Sequence, residues 1–290
     1  MKILVVGSNG LLGEGILHIA NKTNHNIVPT YFEKKDHVQK LKLDIRDEHQ
    51  VNNLLTKIEP DVVINASSIT NPELCKENPE NAYLTNVDGV KNLAKTCNML
   101  GSYFIQLSTE YVFDGKNGPY TELDKPNPIS IYGKTKYISE KTTLAINSDF
   151  CIARTAMLFG WSKTKSNLAT YTISKLRNKE NIKVIDDQIV SPSYNNNIGE
   201  MLIEIGEKKL SGIHHVSGAS IVSRYEFALK LANIFHLNDS LIEPISINKI
   251  GWKAKRPLQC SLLINKISRI LATKSLTIEE SIDRMMREEE

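Results

Sequence analysis

Met1-Lys2-Ile3-Leu4-Val5-Val6-Gly7-Ser8-Asn9-Gly10-Leu11-Leu12-Gly13 is the stretch on which the reading of the fold turns. Ile3 to Val6 is a continuous apolar run, the pattern of a strand buried on both faces. Gly7, Gly10 and Gly13 follow at the spacing Gly-x-x-Gly-x-x-Gly and open a helix. Glycines let the chain turn tightly and let the backbone approach a pyrophosphate, which then rests on the helix N-terminus. Gly-rich strand-to-helix turns also occur without a ligand. The strand before the loop, the helix after it and its place near the N-terminus favour dinucleotide binding.

Outward from this loop, strand-like and helix-like segments alternate. Asn26 to Thr30, Asp61 to Asn65, Tyr103 to Ser108, Phe150 to Ala153 and Ile182 to Ile185 read as further strands. Val51, Leu54, Leu55 and Ile58 stand at helical spacing between two of them. Short apolar runs separated by helices predict an α/β fold, a Rossmann-type doubly wound parallel sheet with helices on both faces. After about residue 160 the strands thin out. Polar stretches such as Ser191-Pro192-Ser193-Tyr194-Asn195-Asn196-Asn197 read as loops, and Ser223 to Phe235 as a helix. The expected organisation is a dinucleotide-binding domain over 1–160 and a smaller, interleaved substrate lobe over 161–290. Residues around 181–220 are expected to return to the sheet.

Composition excludes several classes. The 290 residues are 41% hydrophobic and 24% charged, with a net charge of +3 and no basic block, which gives no footprint for nucleic acid or an anionic membrane. Cys75, Cys97, Cys151 and Cys260 lie far apart, so neither a zinc site nor a disulfide framework is expected, and a reducing compartment fits. His214 and His215 are neighbours in a strand-like segment and point to opposite faces, against a shared metal. No apolar run reaches membrane-spanning length and the N-terminus lacks a signal-peptide pattern. The expectation is a cytoplasmic protein without a metal.

A second signal is chemical. Ser108-Thr109 ends the fourth strand, and Tyr132-Gly133-Lys134-Thr135-Lys136 places a phenol and an ammonium one helical turn apart. Such groups protonate a carbonyl oxygen while hydride reaches its carbon. Spacing alone decides little, because Tyr31/Lys35, Tyr137/Lys141 and Tyr171/Lys175 share it. With ten tyrosines, about one such pair arises by chance. Tyr132 follows the loop Pro126-Asn127-Pro128 and starts a helix, facing the crevice at the carboxyl ends of the strands, on the same rim as Thr109. Tyr137 lies about 140° around that helix.

The cofactor's adenosine end is read from Val28-Pro29-Thr30-Tyr31-Phe32-Glu33-Lys34-Lys35. NAD-binding folds usually end the second strand on an acid, but Thr30 or Tyr31 stands there. Lys34 and Lys35 are placed to pair with a 2′-phosphate, or form a solvated lysine pair. The reading favours NADP(H) over NAD. Asp44 is a candidate for the adenine amino group, or a helix N-cap.

The chain resembles extended short-chain dehydrogenases/reductases, and specifically the dTDP-4-dehydrorhamnose reductase family. The motifs are Gly7-x-x-Gly10-x-x-Gly13, Pro60-Asp61-Val62-Val63-Ile64-Asn65-Ala66, Leu84-x-Asn86-Val87, Ser108-Thr109-x-Tyr111-Val112-Phe113-Asp114-Gly115 and Tyr132-Gly133-Lys134-Thr135-Lys136. Arg154-Thr155, Asp187-Gln188 and Arg256-Pro257 extend the match. The resemblance implies reduction of the C4 keto group of a nucleotide-linked sugar. It makes Tyr132 the general acid, Lys136 its electrostatic partner and holder of the nicotinamide ribose, and Thr109 the residue that orients the substrate oxygen.

It further implies a cofactor site formed by Gly7, Asn9, Gly10, Leu11, Leu12, Gly13, Tyr31, Lys34, Asp44, Ile45, Ala66, Ser67, Ser68 and Asn86, together with Tyr132 and Lys136. Ser108, Thr109, Glu110, Val112, Met157 and Arg256 are the implied contacts to the nucleotide-sugar substrate. Arg256, with Lys253 and Lys255 nearby, would take the diphosphate or stand as a surface arginine. A homodimer is compatible with the family.

Three positions depart from the family's pattern. Glu110 stands where Asp is usual. Ala156-Met157 replaces a tryptophan that lines the sugar site, and methionine fills space without a flat stacking surface. Asp187-Gln188-Ile189-Val190-Ser191-Pro192 lacks the usual Gly and Thr. Tyr111 stands where related dehydratases carry the Glu of Thr-Asp-Glu, which argues against water elimination. The regulatory β subunit of methionine adenosyltransferase, an NADP-binding partner protein, is similar to the same family and is the rival expectation. Another nucleotide-sugar reductase or epimerase is the third.

Overall fold

The structure, a computed structural model, describes residues 1–33 and 41–289. The first half runs β1 (Lys2–Val6), α1 (Leu11–Ala20), β2 (Asn26–Tyr31), β3 (Leu41–Lys42), α2 (Glu48–Ile58), β4 (Val62–Asn65), α3 (Pro72–Glu77) and α4 (Pro79–Tyr83). A π-helical turn over Leu84–Asp88 leads into α5 (Gly89–Leu100), then β5 (Tyr103–Thr109) and α6 (Ile131–Ile146). The second half contains β6 (Cys151–Thr155), β7 (Leu158–Phe159), α7 (Leu168–Arg177), β8 (Ile182–Ile185), β9 (Ile189–Val190) and β10 (Ser193–Tyr194). It ends with α8 (Asn195–Lys208), β11 (Gly212–His215), β12 (Val222–Ser223), α9 (Arg224–Ile234), β13 (Ile242–Ile245) and α10 (Ile278–Arg287).

Among the described residues, seven parallel strands form one sheet in the order β11-β6-β5-β4-β1-β2-β3. The order runs outward in both directions from β1 and β4, so the crevice beyond their carboxyl ends is the place where such sheets bind ligands. The apolar run of β1 divides by alternation. Ile3 and Val5 pack with Ile16, Ile198 and Leu202 of α1 and α8 on one face. Leu4 and Val6 pack with Val51, Leu55, Val90 and Leu93 of α2 and α5 on the other. Each such side chain stabilises by roughly 1.5–3 kcal/mol on burial, which anchors the loop that follows β1.

Two expectations need correction. The strand at Ile182–Ile185 lies outside the large sheet and pairs with β13, far along the chain. Gly212–His215 is the segment that returns to the sheet, beside β6. Ser191 to Asn197 is no surface loop: β10 and the first turn of α8 lie here, and all seven residues are buried. Their side-chain amide nitrogens find partners inside, while Asn195 Oδ1 is left without a hydrogen bond. Asn195 Nδ2 donates to Leu11 O (3.0 Å) and Trp161 O (3.3 Å), and Asn197 Nδ2 donates to Lys274 O (2.9 Å). A side chain on Gly15 would come within 2.7 Å of the Asn195 carbonyl, so α1 and α8 meet at backbone distance.

A further hydrophobic cluster gathers Phe159, Tyr194, Phe227, Leu231, Ile282 and Met285. Phe159 and Phe227 meet edge to face at 4.9 Å. No described helix is long and apolar enough to cross a membrane. No group of three or more His, Cys, Asp or Glu among the described residues could hold a metal ion.

Candidate active site

The loop after β1 is shaped by its glycines. Gly7 has φ +79°, and a side chain there would stand 2.8 Å from the Ser67 backbone; one on Gly13 would stand 2.5 Å from Gly7 O. A side chain on Gly10 would meet only Gly7 O, at 3.4 Å, so what Gly10 keeps clear is the space in front of the loop. No side chain caps α1, whereas α2, α6, α7, α9 and α10 are capped by Asp47, Ser130, Asn167, Ser223 and Thr277. Its first amides are therefore available to an anion.

A cleft of about 600 Å³ opens here. Gly7, Asn9, Gly10, Tyr31, Asp44, Ile45, Ala66, Ser67 and Ser68 line it. Leu12 instead packs in the core and Gly13 is buried behind the loop. Leu11 offers its carbonyl to Asn195. Asn86 sits in the π-helical turn and holds the cleft wall. Its Oδ1 accepts from Ser68 Oγ (2.9 Å) and Ile69 N (2.8 Å), and its Nδ2 donates to Thr135 Oγ1 (3.0 Å). Lys34 and Lys35 lie outside the described residues.

At the adenosine end, Thr30 is buried, its hydroxyl spent on Val5 O (3.2 Å). Asp44 is not the N-cap of α2; Asp47 is, accepting from Gln50 N. Asp44 accepts instead from Arg46 at 2.7 and 2.9 Å, which holds its carboxyl below the usual carboxylate range. The Arg46 guanidinium also lies 4.9 Å over the Phe32 ring. Phe32 and Arg46 line the cleft, and the sequence reading missed both. The available signal was an arginine two residues beyond the expected adenine contact.

The hydroxyl and the phenol come together on the adjacent rim, and Lys136 follows Tyr132 one helical turn on in α6. Ser130 caps α6, its Oγ accepting from Gly133 N at 3.1 Å. A side chain on Gly133 would stand 2.1 Å from Tyr111 O, so this glycine lets the helix start press against the end of β5. Tyr132 and Tyr111 then meet edge to face at 5.6 Å. Thr109, Tyr132 and Lys136 are all buried. Thr109 Oγ1 is 2.7 Å from Glu110 Oε2. Burial and the nearby Glu110 push the Tyr132 phenol up, against the hydrogen-bonding influence of Thr109. Burial pulls the Lys136 ammonium down to about 8, opposed by the charge of Glu140. The balance at Tyr132 favours the phenol over the phenolate.

The other Tyr-Lys pairs are occupied elsewhere. Lys141 lies over the Tyr137 ring at 4.8 Å. Tyr171 is exposed, and Lys175 pairs with Glu180. Tyr31 lines the cleft, with Lys35 outside the described residues.

The implied substrate contacts do not all converge. Ser108 Oγ donates to Glu140 Oε1 at 2.5 Å, joining the buried Arg154–Glu140 pair rather than the open rim. Val112 is fully buried against Phe113, Tyr120 and Leu262. Met157 is partly buried, and its N–H points to Glu110 Oε1 at 3.5 Å. Arg256 is no ordinary surface arginine. It pairs with Glu73 Oε1 (2.9 Å) and lies 3.5 Å over the Trp252 ring.

The family model for the RmlD substrate binding domain matches residues 1–290. The chain belongs to that family. It is similar to the dTDP-4-dehydrorhamnose reductase of Aggregatibacter actinomycetemcomitans, 30% identical over 281 residues that cover 92% of this chain and 92% of that protein. Methionine adenosyltransferase 2 subunit beta of Bos taurus is 29% identical over 273 residues, 90% of this chain and 81% of that protein. The crystal structure of dTDP-4-dehydrorhamnose reductase from Bacillus anthracis in complex with NADP matches with a TM-score of 0.90 at 28% identity, covering 99% of each chain. Membership supports an oxidoreductase of the extended short-chain dehydrogenase/reductase superfamily, of the nucleotide-sugar reductase kind.

Proposed function

We propose that this family member reduces the C4 keto group of a nucleotide-linked 4-keto-6-deoxy sugar with NADPH, converting dTDP-4-dehydrorhamnose to dTDP-rhamnose. The observation that carries the reading is the joint burial of Thr109, Tyr132 and Lys136 at the end of β5, beside a cleft shaped for a dinucleotide. The reduced nicotinamide, when bound, supplies hydride to the keto carbon. Tyr132 gives its proton to the oxygen, leaving an alcohol. The upward push on Tyr132 keeps it a phenol at neutral pH, the form an acid needs. Lys136 brings positive charge one helical turn away, and Glu140, a further turn on, helps keep it protonated. Thr109 orients the oxygen. Arg256 would reach a substrate diphosphate by exchanging Glu73 for phosphate, since both offer paired oxygens to a guanidinium.

For NADP over NAD, the supporting features are the buried, side-chain-bonded Thr30 where an acid would hold the ribose, and Arg46 in the cleft wall. A second reading is favoured by the Bos taurus relative and by Met157 in place of an aromatic: a non-catalytic NADP-binding subunit.

Incubation with NADPH and dTDP-4-keto-6-deoxy-L-mannose, followed by the absorbance of the reduced cofactor, separates the two. Turnover is expected, and Tyr132→Phe should lower kcat by about two orders of magnitude or more. Tight NADP binding with no oxidation by this or related keto sugars would sink the reductase reading.

A further inference from the structure

Glu110 is a carboxylic acid sealed into a place where nothing pairs with it in full. Oε2 meets Thr109 Oγ1 at 2.7 Å, Oε1 receives the Met157 N–H at 3.5 Å, and the residue's own backbone N–H also turns to the carboxyl. The charged and titratable groups facing it are Tyr111 from the turn after β5, Tyr132 from α6, Arg224 from α9 and Cys260 from the segment beneath. Arg224 is the one permanent cation among them. Its Nε is committed to Gln188 Oε1 at 2.6 Å, and its charge acts on the Glu110 carboxyl against the effect of burial.

The consequence falls on Thr109. A hydroxyl has one hydrogen and two lone pairs. Tyr111 N–H takes one lone pair of Thr109 Oγ1, at 3.3 Å. If Glu110 is ionised it can only accept, so it takes the Thr109 hydrogen and leaves Thr109 nothing to donate. If Glu110 is neutral, its proton on Oε2 fills the second lone pair, and the Thr109 hydrogen turns to Tyr132 Oη or to a substrate oxygen placed between the two. A keto oxygen only accepts. The two protonation states of Glu110 therefore decide whether Thr109 can bind it.

We propose that Glu110 works as the neutral acid, donating from Oε2 to Thr109 Oγ1 and so aiming the Thr109 hydrogen at the keto oxygen that Tyr132 protonates. It is a positioning residue, acting through Thr109, and this role rests on the reductase reading above. The Met157 N–H, which requires an acceptor at Oε1, fixes which oxygen carries the proton. Burial works in the same direction, pushing the Glu110 carboxyl up. Activity should then fall as pH rises through the Glu110 ionisation, separately from the loss of the Lys136 charge.

Two measurements on the full chain test this. The infrared spectrum near neutral pH should contain the carbonyl stretch of a protonated carboxyl, absent from Glu110→Gln. No such band in the wild type overturns the proposal, whatever the activity. In the pH profile of kcat/KM with NADPH and the keto sugar, Glu110→Gln should stay within about threefold of wild type near neutrality, because its amide donates to Thr109 from the same side. The variant should also lose the ionisation that belongs to Glu110 and keep that of Lys136. A folded, NADPH-binding Glu110→Gln that is slower by about a hundredfold, or one that keeps both ionisations, overturns it as well. A protein that shows the band yet reduces no keto sugar sinks the reductase reading and the catalytic use of the bond. The direction of the Glu110–Thr109 hydrogen bond would stand.

Discussion

Two buried glutamates flank the end of β5, and their partners differ. Glu140, on the Ser108 side, receives both Nε and Nη2 of Arg154 and the Ser108 hydroxyl, within 2.5–2.9 Å. Glu110, on the Thr109 side, has one short side-chain contact and otherwise only backbone N–H groups, its own and that of Met157 at 3.5 Å. Equal burial therefore serves two ends. The Glu140 carboxylate, bonded by a guanidinium, ties α6 to β6, whereas burial without a guanidinium bond pushes the Glu110 carboxyl toward its neutral form, the form that can act in proton chemistry. Adjacent strand positions that point apart sort the two roles.

Stability gives the sharpest way to break this contrast. Arg154→Met leaves the Glu140 charge buried without its guanidinium, and should cost about 3–5 kcal/mol by denaturant unfolding. Arg224→Met removes the cation near Glu110 but breaks only a side-chain bond to Gln188, and should cost about 1 kcal/mol. Equal losses would mean that the two sides are not distinct.

How much of this was legible depends on the distance over which residues cooperate. The β1 loop follows from local rules: an apolar run, glycines at fixed spacing and a helix start. So does Tyr132, next to a Ser130 cap and a helix-start glycine. The commitment of Ser108 to Glu140 was not legible, because it joins residues 32 apart on different elements. Even so, Glu140 stands one turn past Lys136, and that spacing was an available clue. Ser191 to Asn197 misled for a related reason. Asparagines look solvated in a sequence, but here they answer backbone carbonyls of Leu11, Trp161 and Lys274 that only the folded chain brings near. The partner of β8 was hidden similarly, since its strand lies some 60 residues on.

Lys136 sharpens the contrast through pH. Its ammonium is lowered to about 8, against about 10.4 for an unburied lysine. As pH rises through 8 the folded protein loses this proton before the unfolded chain does. The Lys136 contribution to stability therefore increases between about pH 8 and 10.4, because the unfolded state binds more protons there. The charge beside Tyr132 disappears over the same range, so kcat/KM should fall with a midpoint near 8. Activity and the Lys136 share of stability thus move in opposite directions, which a pH–rate profile beside pH-dependent unfolding would reveal. A rate that stays level up to pH 10 would remove Lys136 from the site.

The smallest expected effect is the most selective. Tyr137 shares α6 and the Tyr-x-x-x-Lys spacing with Tyr132, but lies about 140° around the helix, partly buried against Val112, Phe113 and Leu262. Its ring carries Lys141 at 4.8 Å. Tyr137→Phe keeps the ring, the packing and the cation above it, and removes only a hydroxyl. Stability should stay within about 0.5 kcal/mol of wild type, and kcat and KM should be unchanged within error in the NADPH assay. Because Tyr132→Phe makes the same chemical change on the same helix, the pair isolates position from composition. A large kcat loss at Tyr137 would show that the phenol used for proton transfer lies on the other face of α6, and the division of labour at the end of β5 would have to be redrawn around it.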